Sequence, residues 1–217
     1  MAIERDSPYI WVTLLTKLLA GEASCEWSSW FRAHYRDYDR LPTDFDLAAW
    51  TMEHRDLVNA RREQLRDAGY DVYIEDENAF KRIGQTGIIV SGKPDILAIK
   101  DRAGIIEDCK TGRPRTSDQL QVLVYMLLFP IGNSTCDGVT LSGRVVYKTN
   151  AVDIPTSGLD DAFRTRFVNL VRKVGGEKPL PKSPSWAECR WCDIGPTDCL
   201  YRVSEPPESA EAATDLF

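Results

Sequence analysis

The sequence predicts a mixed α/β fold of the α+β kind, with a central mixed β-sheet flanked by helices. Three observations predict it. The apolar spacing is helical before Gly69, switches to period two between residues 72 and 106, and returns to helical after residue 117. Strand-length runs lie next to one another with turn residues between them. Neither a GxGxxG nor a phosphate-loop motif occurs, which argues against a doubly wound dinucleotide fold.

In order, Ser7-Pro8 reads as a helix start, Leu14, Leu15, Leu18 and Leu19 recur at helical spacing, and Gly21 is the stop. A second helix is expected over 26–35, with Trp27, Trp30 and Phe31 packed in the core rather than stacked on bases. A long helix is expected over 44–68, ending at Gly69, with an apolar stripe of Leu47, Trp50, Leu57, Val58 and Leu65 on which His54 lies. Strands follow at 72–74, 80–83, 88–90, 96–99 and 105–106. A helix over 117–129 stops before Pro130, strands return at 139–147 and 151–154, and a helix covers 158–174. Residues 175–185 read as a loop. The expected organisation is one domain over 1–203, followed by a disordered acidic tail over 204–217. Within the domain, a helical N-terminal region spans residues 1–43, a core spans 44–174 and a cysteine-bearing segment spans 175–203.

Composition fits a globular protein: 217 residues, 43% hydrophobic and 28% charged. The net charge of −6 argues against a general nucleic-acid coat protein. Much of that charge sits in the tail, at Glu205, Glu208, Glu211 and Asp215, which leaves the body near neutral and able to carry a local basic groove. The start MAIERDSP has no basic leader region, and the apolar run 9–19 is broken by Lys17 and too short to span a bilayer. A cytoplasmic protein without a membrane partner is therefore expected, with cysteines that serve as free thiols or metal ligands rather than disulfides.

The chemistry concentrates in residues 92–125. Asp95 enters one apolar strand and Asp108 leaves the next. Lys110 lies two residues beyond Asp108, so both side chains can share one strand face. Two carboxylates and a lysine at a hairpin end fit metal-assisted phosphodiester hydrolysis, with Mg²⁺ or Mn²⁺ on the hard oxygens. Surface ion pairs at a hairpin end would use the same residue types. Gln121 and Tyr125, spaced i, i+4, share a face of the following helix. Arg113 and Arg115 are candidate phosphate contacts just past the turn.

GKPD, EDCKTG and QVLVY together resemble the PD-(D/E)xK nuclease superfamily, and within it the RecB-like branch: Gly92…Asp95, Asp108…Lys110-Thr111-Gly112 and Gln121…Tyr125, across roughly residues 45–130. The resemblance implies a restriction-endonuclease-like core and a metal-dependent DNA nuclease, an exonuclease on single strands or DNA ends in repair, recombination, phage or CRISPR processing. It implies Asp95, Asp108, His54 and the backbone carbonyl of Cys109 as ligands of Mg²⁺ or Mn²⁺. Lys110 would be the catalytic lysine, and Gln121 and Tyr125 would assist. His34, on a segment with no match, is the weaker histidine candidate. A non-catalytic DNA-end-binding or assembly subunit is the alternative.

Cys189, Cys192 and Cys199 cluster near the end of the chain, and Cys25 stands far upstream. Four thiolates can hold Zn²⁺ or a [4Fe–4S] cluster, and spacing alone does not choose. The layout is similar to iron–sulfur RecB-like nucleases, including AddB-type domains and the CRISPR-associated exonuclease family, which implies a [4Fe–4S] staple between the two ends of the chain. Cys109 and Cys136 are left over. The final ATDLF, with Asp215-Leu216-Phe217, is similar to the bacterial sliding-clamp-binding peptide and implies a protein partner.

Overall fold

The computed structural model describes residues 2–42 and 45–207. In chain order the elements are β1 (Ile3–Glu4), β2 (Tyr9–Trp11), α1 (Val12–Leu19), α2 (Glu26–His34), β3 (Tyr35–Arg36), α3 (Leu47–Asp67), β4 (Asp71–Ile74), β5 (Phe80–Ile83), β6 (Ile89–Gly92), β7 (Ile96–Lys100), β8 (Ala103–Lys110), α4 (Thr116–Leu128), β9 (Thr140–Tyr147), β10 (Ala151–Ile154), α5 (Asp161–Val174) and α6 (Trp186–Cys189).

The main sheet has the order β10-β9-β8-β7-β4. It is mixed: β8 and β9 run parallel, and the other pairs are antiparallel. Parallel neighbours need a crossover, and α4 supplies it. Alternation sends Ile106 and Asp108 of β8 toward α4, and Ile105, Glu107 and Cys109 toward α3. One core cluster joins Leu97, Ile106 and Val145 to Val122 and Tyr125 of α4. A second joins Ile96, Ala98, Cys109 and Val146 to Val58 and Leu65 of α3. The sheet's end, where Asp95 and Asp108 sit, is thus reached by helices from both faces.

Smaller sheets flank it, β2-β6-β5 and β1-β3. β2 departs from expectation. Tyr9, Ile10 and Trp11 form a strand parallel to β6, and the helix begins only at Val12. Ile10, fully buried, and two aromatic neighbours suit a pleated surface better than a first helical turn. Gly21, at φ +69°, does end that helical segment. α3 is capped by Asp46, whose side chain accepts from the Ala49 N–H at 2.9 Å. Asp44, the expected start, lies outside the described residues. The stripe is only partly buried: Val58 and Leu65 are in the core, while Leu47 is 62% and Trp50 39% exposed. Tyr35 leaves α2 for β3, and Gly158 precedes α5, which Asp160 caps by accepting from the Phe163 N–H at 2.7 Å.

A third core cluster, Trp27, Trp30, Phe31, Tyr38 and Ile194, packs α2 against the last segment of the chain. Trp27, Trp30 and Phe31 are core residues, as expected. The terminal DLF lies outside the described residues. Among the described residues, no helix is long and apolar enough to cross a membrane.

Candidate active site

Asp95 precedes β7, in register beside the end of β8. Its Oδ2 accepts from the Cys109 backbone N–H at 2.7 Å and lies 3.2 Å from His54 Nε2. The loop carrying it is held from beneath. The fully buried Asn78 side chain donates to the Tyr73 and Pro94 carbonyls at 3.0 and 3.3 Å, and the Glu75 N–H donates to the Asp95 carbonyl at 3.0 Å. α3 aims His54 at the carboxylate. The hydrogen bond to Asp95 raises the imidazole pKa, with burial opposing.

Asp108 is 2% exposed. Its Oδ1 accepts from Gln121 Nε2 at 3.1 Å. Its Oδ2 lies 2.6 Å from Lys110 Nζ, a close ion pair. Burial pushes the Asp108 carboxyl up to about 7, with Lys110 opposing and Asp95 reinforcing. Burial also acts to lower the Lys110 pKa, but the two aspartates outweigh that and raise it, so the ammonium stays charged. Gln121 ties the group together: it accepts from Lys110 Nζ at 3.1 Å and donates to Tyr125 Oη at 2.9 Å. Burial pushes the Tyr125 phenol well above its usual value, so it is a neutral hydrogen-bonding group. Gly92 makes room for it, because a Cβ there would come within 2.7 Å of the Tyr125 ring.

His54, Asp95, Asp108, Lys110, Gln121 and Tyr125 line one cleft of about 510 Å³. Cys109 contributes its backbone to the cleft, while its thiol is buried on the opposite face and shifted upward by that burial. Arg113 and Arg115 are exposed on the loop before α4, and Arg115 borders a different cavity. His34 is elsewhere. Its ring stacks on Trp30 at 4.7 Å, and Nε2 is 3.2 Å from the Val174 carbonyl.

Among the described residues, no three His, Cys, Asp or Glu side chains are gathered into a ready metal-ligand set. The donors at Asp95 and Asp108 nevertheless suit a hard divalent cation: two carboxylates line one cleft, Asp108 is buried, and their mutual repulsion is one that a cation between them would relieve. Cys25, Cys189, Cys192 and Cys199 are free thiols that line a second cavity of about 540 Å³. The ends of the chain therefore meet there as expected, but without a compact thiolate set. Arg32 Nη2 donates to Cys192 Sγ at 3.3 Å instead.

Two supports escaped the sequence patterns. Glu107, fully buried, receives Arg61 from α3 in two hydrogen bonds of 2.6 and 2.7 Å, with Arg144 at 3.5 Å. Asn78 anchors the Asp95 loop. Strand parity could have found the first, because Glu107 falls on the core face between Ile105 and Cys109.

No curated protein matches the chain. Among solved structures, one described as "Crystal structure of SSO0001" superimposes with a TM-score of 0.47 at 15% identity, covering 90% of this chain and 89% of that one, a likeness too distant to bear on function. The model of the PD-(D/E)XK nuclease superfamily matches residues 13–196, a span that includes the whole acid–lysine set, and the chain belongs to that superfamily.

Proposed function

We propose that the protein is a Mg²⁺- or Mn²⁺-dependent deoxyribonuclease of the RecB-like branch, acting as an exonuclease on single-stranded DNA or DNA ends. The observation that carries this is the buried Asp108 carboxylate, paired with Lys110 at 2.6 Å and lining the same cleft as Asp95. Asp95, Asp108, His54 and the Cys109 carbonyl would hold the cation, which supplies Lewis-acid activation of the phosphate and of the attacking water. The chain's own groups do the rest. Lys110 keeps a fixed positive charge beside the scissile phosphate, where negative charge grows in the transition state. Gln121 holds both Lys110 and Asp108 in place, and Tyr125 fixes Gln121. Arg113 and Arg115, on the exposed approach to α4, would contact the DNA backbone.

We infer also that Cys25, Cys189, Cys192 and Cys199 hold a [4Fe–4S] cluster, with Zn²⁺ as the alternative, because all four border one cavity between the chain's ends. The decisive experiment incubates anaerobically purified protein with end-labelled single and double strands. Mn²⁺-dependent loss of label from single strands or ends, abolished by EDTA and restored by Mn²⁺, is expected. DNA binding with no cleavage in either metal would leave only a non-catalytic role.

A further inference from the structure

Two tryptophans border the active-site cleft and remain open to solvent: Trp11, 49% exposed, and Trp50, 39% exposed. They come from different walls. Trp11 ends β2 beside β6, and Trp50 lies on α3 one turn before His54. Each indole is held by a neighbouring ring. Tyr9 lies 5.4 Å from Trp11, and the Trp50 ring stacks on His54 at 5.1 Å and 22°. Trp27 and Trp30 are core residues at 6% and 5% exposure, and the more exposed Trp191 lies outside this cleft. Single exposed aromatics are ordinary, but two orientated indoles lining the cleft that holds the acid–lysine set are not explained by packing.

We propose that Trp11 and Trp50 form a base-stacking platform that selects unpaired nucleotides for this cleft, an inference that rests on the nuclease reading. A ring edged by water gains from covering its face, and every nucleobase has a π-face, so the platform is indifferent to sequence. In a duplex the faces of the bases are already stacked on one another and cannot reach an indole. The walls therefore admit a strand whose bases splay outward while its phosphate turns toward Asp95, Asp108 and Lys110. Lys93 also lines the cleft, paired at 3.0 Å with the exposed Asp76 in a weak surface contact that a phosphate could displace.

The test uses the full chain with Asp108→Asn, so that DNA is bound and not cut. Anisotropy measures a labelled oligothymidine, the same oligomer with abasic sugars at its terminal nucleotides, and a duplex. The intact single strand should bind about 5-fold or more tighter than the abasic one. That gap should shrink in Trp11→Ala and in Trp50→Ala, and partly return in Trp50→Phe. A tryptophan that merely braced His54 would leave the gap unchanged, because the abasic control removes only bases. Equal binding of intact, abasic and duplex DNA, no binding, or a gap unaltered in both alanine variants overturns the platform. Mn²⁺-dependent cleavage by the unsubstituted protein that Asp108→Asn does not abolish would instead sink the nuclease reading.

Discussion

At the scale of single residues, the site is a set of groups whose proton and charge states depend on one another. Asp108 is pushed up to about 7 by burial, and His54 is raised by its bond to Asp95. Metal ligation needs a bare carboxylate and an unprotonated imidazole nitrogen, so binding must displace protons. Both shifts are upward, and the proton competes below the shifted value. Mn²⁺ affinity should therefore tighten as pH rises through about 7, with proton release detectable by titration in buffers of different ionisation enthalpy. An affinity flat across that interval would contradict the arrangement. Their placement was legible in part: alternation puts Asp108 and Lys110 on one strand face, and i, i+4 spacing puts Gln121 and Tyr125 on one helix face, whereas His54 was singled out only through the family resemblance. Trp50 was not legible, since its position on an apolar stripe predicts burial, and burial depends on what packs against that turn of the helix.

At the scale of elements, α3 is fixed to the sheet by charge as well as by apolar contact. Arg61, two turns beyond His54 on α3, grips Glu107, the neighbour of Asp108 on β8. The clamp sets where His54 meets Asp95. Removing one partner of a buried pair leaves the other uncompensated, so Glu107→Ala should cost about 3–5 kcal/mol in urea unfolding, well above a surface substitution. A cost under about 0.5 kcal/mol would show that the clamp contributes little. A second tie joins the end of α1 to the start of α4: the Ser117 N–H and Oγ donate to the Glu22 carboxylate at 3.0 and 2.6 Å. Burial would raise that carboxyl, but the Ser117 hydrogen bonds outweigh it and hold it below its ordinary value of 4.5. A depressed folded-state pKa stabilises above the unfolded value and is lost as pH falls through the folded one. Glu22→Gln should therefore lower Tm at neutral pH by a small amount and narrow its difference from the unsubstituted protein below pH 4.5. The strand and helix order was legible from periodicity. The replacement of the first helical turn by β2 was not, because its partner β6 lies some eighty residues away and only the tertiary fold brings them together.

At the scale of the whole molecule, polar contacts join α2 and its flanks to residues 188–193. Arg32 bonds Asp193 at 2.6 Å, Tyr38 donates to Asp193 at 2.9 Å, and Glu188 accepts from the Ser24 and Cys25 N–H groups at 2.9 and 3.1 Å. The separation of Cys25 from the other three already pointed to such a closure. The polar and aromatic contacts that accompany it follow no local pattern and emerge only in three dimensions. If the thiols hold a cluster, Cys189→Ser should lose the bound iron and its visible absorption while the protein stays folded at lower Tm, because these contacts remain. Iron content and thermal unfolding of anaerobic samples measure both effects. Colourless protein carrying one equivalent of zinc would place zinc there instead.

The catalytic assignment converges on two side chains, Asp108 and Lys110, paired at 2.6 Å inside the cleft. Its most direct test is single-turnover cleavage of end-labelled single-stranded DNA in Mn²⁺ by the unsubstituted protein, Asp108→Asn and Lys110→Ala, each checked for folding by circular dichroism. Lys110→Ala should fall by about 10²–10³-fold and Asp108→Asn by at least as much. Folded variants that cut as fast as the unsubstituted protein would contradict it.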